Sequence, residues 1–126
     1  MEIKFEYGFE SVNGIIKKTY YLHEIPFIRE KCDVWNVLPF IYVRQFTGKQ
    51  DKKGKDIYKG DIVTYKRSVG NWTGKFMTTT HEIVFSEEVF AFVMKYGNSY
   101  IKLRKHWGYE YEVIGNIHEN PELLKQ

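Results

Sequence analysis

The 126-residue chain holds a single cysteine, Cys32, a single alanine, Ala91, and three prolines. One cysteine cannot form an intramolecular disulfide, so no disulfide framework holds the fold and a reducing compartment is expected. Leucine is sparse before the C-terminus. With alanine and leucine scarce, long helices lack their usual formers. No stretch approaches the ~20 apolar residues of a membrane-spanning helix, and no N-terminal apolar run resembles a signal segment. A soluble cytoplasmic protein without a membrane partner is expected.

Motifs of common chemistry are also missing. The sequence has no Gly-x-Ser-x-Gly elbow, no phosphate-binding Gly-Lys-Ser/Thr loop and no dinucleotide fingerprint. His23, His81, His106 and His118 are scattered rather than set at ligand spacing, and Cys32 has no cysteine partner. Cys32 sits beside Asp33, whose charge disfavours a thiolate, so a buried or inert thiol is expected. Glu110 and Glu112 alternate with Tyr109, Tyr111 and Val113, the pattern of a solvated strand face rather than of a catalytic pair. The expectation is a protein that is not an enzyme and has no cofactor or metal.

Aromatic residues are abundant, with 10 Tyr, 9 Phe and 3 Trp making 17% of the chain. Such residues favour pleated, half-buried strands. Residues 3–9 alternate apolar and polar, and Asn13-Gly14 supplies a tight turn, so the chain should open with a β-hairpin returning over 15–22. Between Pro26 and Pro39 neither period holds, and a short helical turn or an extended linker is expected there. Phe27, Ile28, Trp35 and Leu38 are too apolar for a solvated linker. They should dock on the core or on another subunit.

From Phe40 onward, short strands recur between turns: 40–47, 62–66, 81–85, 89–96, 100–104 and 109–113. Gly48, Asp51, Gly54, Gly60 and Asp61 carry turn chemistry, and Gly115-Asn116 reads as a bulge or kink with the Asn amide satisfying backbone. Asn120-Pro121 should cap a short C-terminal helical turn. The architecture expected is all-β: a small, partly open barrel (SH3-like or similar) over 40–126, preceded by a hairpin arm and linker over 1–39.

Charge is uneven. The net charge of +3 conceals a cationic stretch from Arg44 to Lys75. Lys66, Arg67, Trp72 and Lys75, with a second basic-aromatic patch at Arg104, Lys105 and Trp107, form the candidate anion or nucleic-acid surface.

Two stretches resemble the YopX family. They are Tyr42 to Val63, with Gln45-Phe46-Thr47-Gly48, Asp51-Lys52-Lys53-Gly54-Lys55 and Ile57-Tyr58-Lys59-Gly60-Asp61-Ile62-Val63, and Val113 to Leu124, with Ile114-Gly115-Asn116 and Glu119-Asn120-Pro121-Glu122-Leu123. Lys59 departs from the acidic residue usual there, and His118 from the usual aromatic. The resemblance implies a mostly β protein of phage or prophage origin, and it implies no established activity. The function expected is therefore that of an accessory protein acting by self-assembly or by binding a phage or host protein, most simply as a homo-oligomer through Phe27, Ile28, Trp35 and Leu38. The runner-up is binding of single-stranded or structured nucleic acid through the basic-aromatic loops.

Overall fold

A computed structural model describes residues 2–69, 74–103 and 110–124, the side chains of Ser68 and Val69 excepted. The chain is mostly β, with one short helix. Nine strands run β1 Lys4–Ser11, β2 Gly14–Tyr21, β3 Phe40–Gln50, β4 Asp56–Tyr58, β5 Asp61–Val69, β6 Lys75–Ser86, β7 Ala91–Tyr96, β8 Ser99–Lys102 and β9 Glu110–Asn116. Helix α1, Ile28–Lys31, follows a 3₁₀ segment at Leu22–Phe27, and a second 3₁₀ turn at Pro121–Leu124 closes the chain. One sheet has the order β2-β1-β3-β4, the other β8-β7-β6-β5-β9. Strands β5 and β6 run further than the 62–66 and 81–85 expected, leaving only 70–73 between them outside the described residues.

The chain divides into two compact units, Met1–Gly48 and Lys49–Gln126. The boundary expected after residue 39 therefore falls later. The reason is pairing: β3 lies antiparallel to β1, with Phe5 opposite Gln45 and Tyr7 opposite Val43, so the strand assigned to the barrel belongs largely with the arm. Gly48 is not in a tight turn; it lies within β3 at φ 86°.

In the first unit the opening hairpin forms as read, with its turn one residue earlier than expected. Ser11 pairs with Gly14, leaving Val12-Asn13 at the tip, and Gly14 takes the positive φ of 114°. The Ser11 hydroxyl donates to the Gly14 carbonyl at 2.7 Å and accepts from the Asn13 N–H. Phe9, Tyr20, Ile28 and Cys32 form the core, with Tyr7, Ile25, Val34, Trp35 and Leu38 packed against it. The 22–38 segment therefore covers the apolar face of the hairpin, and the Glu24 carboxylate secures its start by accepting the Tyr21 N–H at 3.0 Å.

On the opposite face of β1, Glu6 and Gly8 are buried as well. Glu6 and Arg44 stand opposite each other at 7% exposure each. The Arg44 Nε donates to the Glu6 Oε2 at 2.7 Å, and the Tyr42 hydroxyl donates to the same oxygen at 2.9 Å. Gly8 leaves room for the Tyr42 ring, because a Cβ there would lie 2.2 Å from the ring. A buried charge needs both a partner and hydrogen bonds, and this trio supplies them.

The second unit packs Ile57, Val63, Tyr65, Ile83, Met94 and Tyr111 as its core, flanked by Phe92, Ile101, Leu103 and Val113. These alternate positions on β5, β6, β7, β8 and β9 define one face of the five-stranded sheet.

Candidate functional site

The family-like residues hold turns against strands. The Asp51 carboxylate is 8% exposed. Its Oδ1 accepts the N–H groups of Lys53 and Lys55, each at 2.9 Å, and its Oδ2 accepts the Val113 N–H of β9 at 3.0 Å. The Lys52 N–H also donates to the Tyr111 carbonyl at 2.9 Å. The turn with Gly54 at φ 80° is thereby laid along the backbone of β9. Burial pushes the Asp51 pKa up, but the amides of Val113, Lys55 and Lys53 outweigh it and leave the group below its ordinary value.

Asp61, 2% exposed, accepts the Tyr58 N–H at 2.7 Å and closes the turn before β5. Gly60 sits at φ 86°, its N–H bonded to the Ile83 carbonyl and its own carbonyl to the Ile117 N–H. Asn116 turns the chain out of β9: its Oδ1 accepts the N–H groups of His118 and Glu119, each at 2.9 Å. The bulge expected at Gly115-Asn116 falls on Ile114, since Ile62 pairs with Gly115 and Val63 with Val113. Gly115 is required by the closing 3₁₀ turn, whose Asn120 Oδ1 and Leu123 Cδ1 would lie 2.6 and 2.9 Å from a Cβ. Asp51, Asp61 and Asn116 thus each hold backbone N–H groups.

The cationic stretch is less cationic in three dimensions. The Lys52 Nζ lies 3.4 Å from Glu110 and 3.3 Å from Glu112, and Lys53 lies 3.5 Å from Glu112. The Glu112 and Glu110 contacts raise the Lys52 pKa. Lys66 and Arg67 are neighbours on β5, so their side chains point to opposite faces. Lys66 stands opposite Glu110 and reaches over the Phe76 ring, 4.6 Å from its centroid. Arg67 shares the core face with Tyr65, and Lys75 follows on that face at the start of β6. Trp72, Arg104, Lys105 and Trp107 lie outside the described residues. Of the seven, Lys66, Arg67 and Lys75 are the ones described, and Lys66 and Arg67 face opposite ways on β5.

Of the proposed oligomer contacts, Ile28 is buried in the first unit's core, and Trp35 and Leu38 pack against it. The Trp35 ring meets Tyr7, Phe9 and Phe40. Only Phe27 stands out, at 51% exposure. Cys32 is buried. Among the described residues, no group of three or more His, Cys, Asp and Glu is gathered as a metal site, and no helix is long and apolar enough to cross a membrane.

One feature escaped the sequence reading. A cavity of about 710 Å³ in the second unit is lined by Tyr65, Glu88, Asn98, Ser99, Tyr100, Ile101 and Lys102. Five of these are consecutive and span strand β8, which ends the five-stranded sheet. Ile101 faces the core, while Tyr100 and Lys102 alternate to the other face. The rest of the lining comes from β5, through Tyr65, and from the turn between β6 and β7, through Glu88. Tyr65, stacked on Tyr111 at 5.2 Å, forms part of its wall. No sequence signal marks it, because Tyr65 and Glu88 belong to β5 and to the turn between β6 and β7 rather than to β8.

Fold and motif together define a class: a mostly β protein of two small units whose distinctive glycines, aspartates and asparagine fasten turns onto strands. The chain belongs to the YopX family, the "YopX protein" family matching residues 7–125. Among solved structures it is similar to protein EF1440 from Enterococcus faecalis, at 25% identity and a TM-score of 0.46, over 95% of this chain and 75% of that one. No curated protein matches the sequence.

Proposed function

We propose that this protein is a phage- or prophage-encoded accessory protein of the bacterial cytoplasm that acts without catalysis, by binding another protein through the groove along β8. The observation that carries this reading is the groove itself: a cavity of about 710 Å³ lined by two tyrosines, an isoleucine, a glutamate and a lysine, with most of its lining from the edge strand β8. Its mix of Tyr65, Tyr100, Ile101, Glu88 and Lys102 suits a protein surface, where aromatic anchors and a polar rim recur. Family membership points the same way, since the family resemblance implies phage origin. The buried polar residues of the motif support a non-catalytic role, because their hydrogen bonds are spent on backbone.

Self-association through Phe27, Ile28, Trp35 and Leu38 has less support, as three of the four pack within their own unit. Nucleic-acid binding also has less, since Lys52 and Lys53 face Glu110 and Glu112. The test is capture from a lysogenic host lysate, with and without nuclease, by the wild type and by the folded double variant Tyr100→Glu, Lys102→Glu. A captured protein that the variant loses supports the reading. Equal capture by both, or capture abolished by nuclease, overturns it.

A further inference from the structure

We propose that the turn between β6 and β7 is a docking element whose Phe90 enters an apolar pocket with a cationic rim on a partner protein; this rests on the reading above that the chain works by binding another protein. Two costs meet at Phe90. Its backbone lies at φ 52°, in the left-handed region, and its side chain is 82% exposed. In that conformation a Cβ crowds the following carbonyl, so bulky residues rarely take it. Among the described residues the other positive φ values belong to glycines and to Asn36, whose short polar side chain tolerates the strain. The turn between β7 and β8 meets almost the same backbone requirement with Gly97, at φ 57°. The fold gains little from a phenylalanine instead. Phe85 and Phe92 on the flanking strands meet edge to face at 5.3 Å, whereas the Phe90 ring projects into solvent. Strain held at an exposed place that folding does not need points to function.

The neighbours of Phe90 set the chemistry of its partner. The turn runs Glu87-Glu88-Val89-Phe90, closed by the pairing of Ser86 with Ala91. Glu87 and Glu88 are both exposed, and Phe85, 43% exposed, extends the apolar surface beside them. Two carboxylates next to the projecting ring repel phosphates, which disfavours an anionic lipid surface or a nucleic acid. They suit a protein pocket that takes the ring and is bordered by Lys or Arg, with the aromatic group as anchor and the charges steering approach. Glu88 also lines the cavity, so a partner seated on Phe90 is brought beside it. Val12, 101% exposed at the tip of the first hairpin, carries no backbone strain and no adjacent acid, and so serves as the contrast.

In the experiment, the photo-cross-linking analogue p-benzoylphenylalanine replaces Phe90, or Val12 as the control, in the full chain inside lysogenic host cells. The protein cross-linked on irradiation is then purified and titrated with the unmodified chain and its variants. A discrete product is expected from position 90 and none from position 12. Phe90→Ala should weaken binding of the purified protein by roughly thirtyfold. Glu87→Gln with Glu88→Gln should slow association and flatten its salt dependence. Phe90→Gly should weaken binding as Phe90→Ala does, yet raise the thermal midpoint by roughly 2–4 °C, because glycine relieves strain that folding did not require. No product from position 90, equal products from both positions, binding indifferent to Phe90→Ala, salt dependence unchanged by the two Glu substitutions, or a lower midpoint in Phe90→Gly overturns the proposal. If the wild type still captures a protein that Tyr100→Glu, Lys102→Glu loses in that event, the turn has failed while the reading of a protein partner stands. If no protein is captured at all, that reading has failed with it.

Discussion

The Asp51 carboxylate reaches from the turn after β3 to the backbone N–H of Val113 in β9, 3.0 Å away, while its other oxygen holds the N–H groups of Lys53 and Lys55. One side chain thereby organises its own turn and fastens it to a strand far along the chain. Asp51→Ala leaves those amides without their acceptor in a largely buried place. The expected loss is about 3 kcal/mol, from hydrogen bonds to a charged group and the cost of stranding their donors. Urea unfolding measures it, and a loss under 1 kcal/mol would show the tether to be incidental.

Acid should release the same tether. Burial raises the Asp51 pKa, but the Val113, Lys55 and Lys53 amides prevail and hold it below its ordinary 3.8. A carboxyl whose folded pKa lies below its unfolded one contributes stability that is fully present above the unfolded value. That contribution disappears as pH falls through the folded value. The stability difference between wild type and Asp51→Ala should accordingly be constant above about pH 5 and shrink below about pH 4. A difference that stays constant down to pH 2 would contradict the assignment.

The buried Glu6–Arg44 pair makes a separate prediction in the first unit. Removing either charge alone, as in Glu6→Gln or Arg44→Met, strands the other and should cost about 3–5 kcal/mol. The double variant Glu6→Leu, Arg44→Met should cost less than the two single changes together, because no unpaired charge remains. A double-mutant cycle by thermal unfolding checks this, and strict additivity would rule out the coupling.

Trp35 and Phe27 separate packing within a chain from packing between chains. Trp35→Ala should lower stability by about 3 kcal/mol, as expected for truncating a large, mostly packed aromatic. Phe27→Ala should stay within about 0.5 kcal/mol. Neither should change the mass measured by light scattering. A mass that halves in Trp35→Ala would return that residue to a subunit interface.

What was legible in the sequence was local. The opening hairpin, the Gly54 turn, the Asp61 closure and the Pro121 turn each depend on backbone groups a few residues apart. Glycine's tolerance of positive φ and the short reach of Asp and Asn announce such features directly. Alternation likewise marked the strands, though not the full length of β5 and β6.

Partners distant in sequence were not legible. That β3 pairs with β1 moved the unit boundary past Phe40, and the same pairing set Arg44 opposite Glu6 and buried both. The extended backbone of β5 sent Lys66 and Arg67 to opposite faces, and Glu110 and Glu112 came to face Lys52 and Lys53. By itself the sequence determined the all-β class, the turns and the family, because those follow from side-chain period and backbone preference over short spans. The tertiary structure alone decided which charges meet, which strand edges are taken and where a groove remains, because these depend on which strands the sheet brings together.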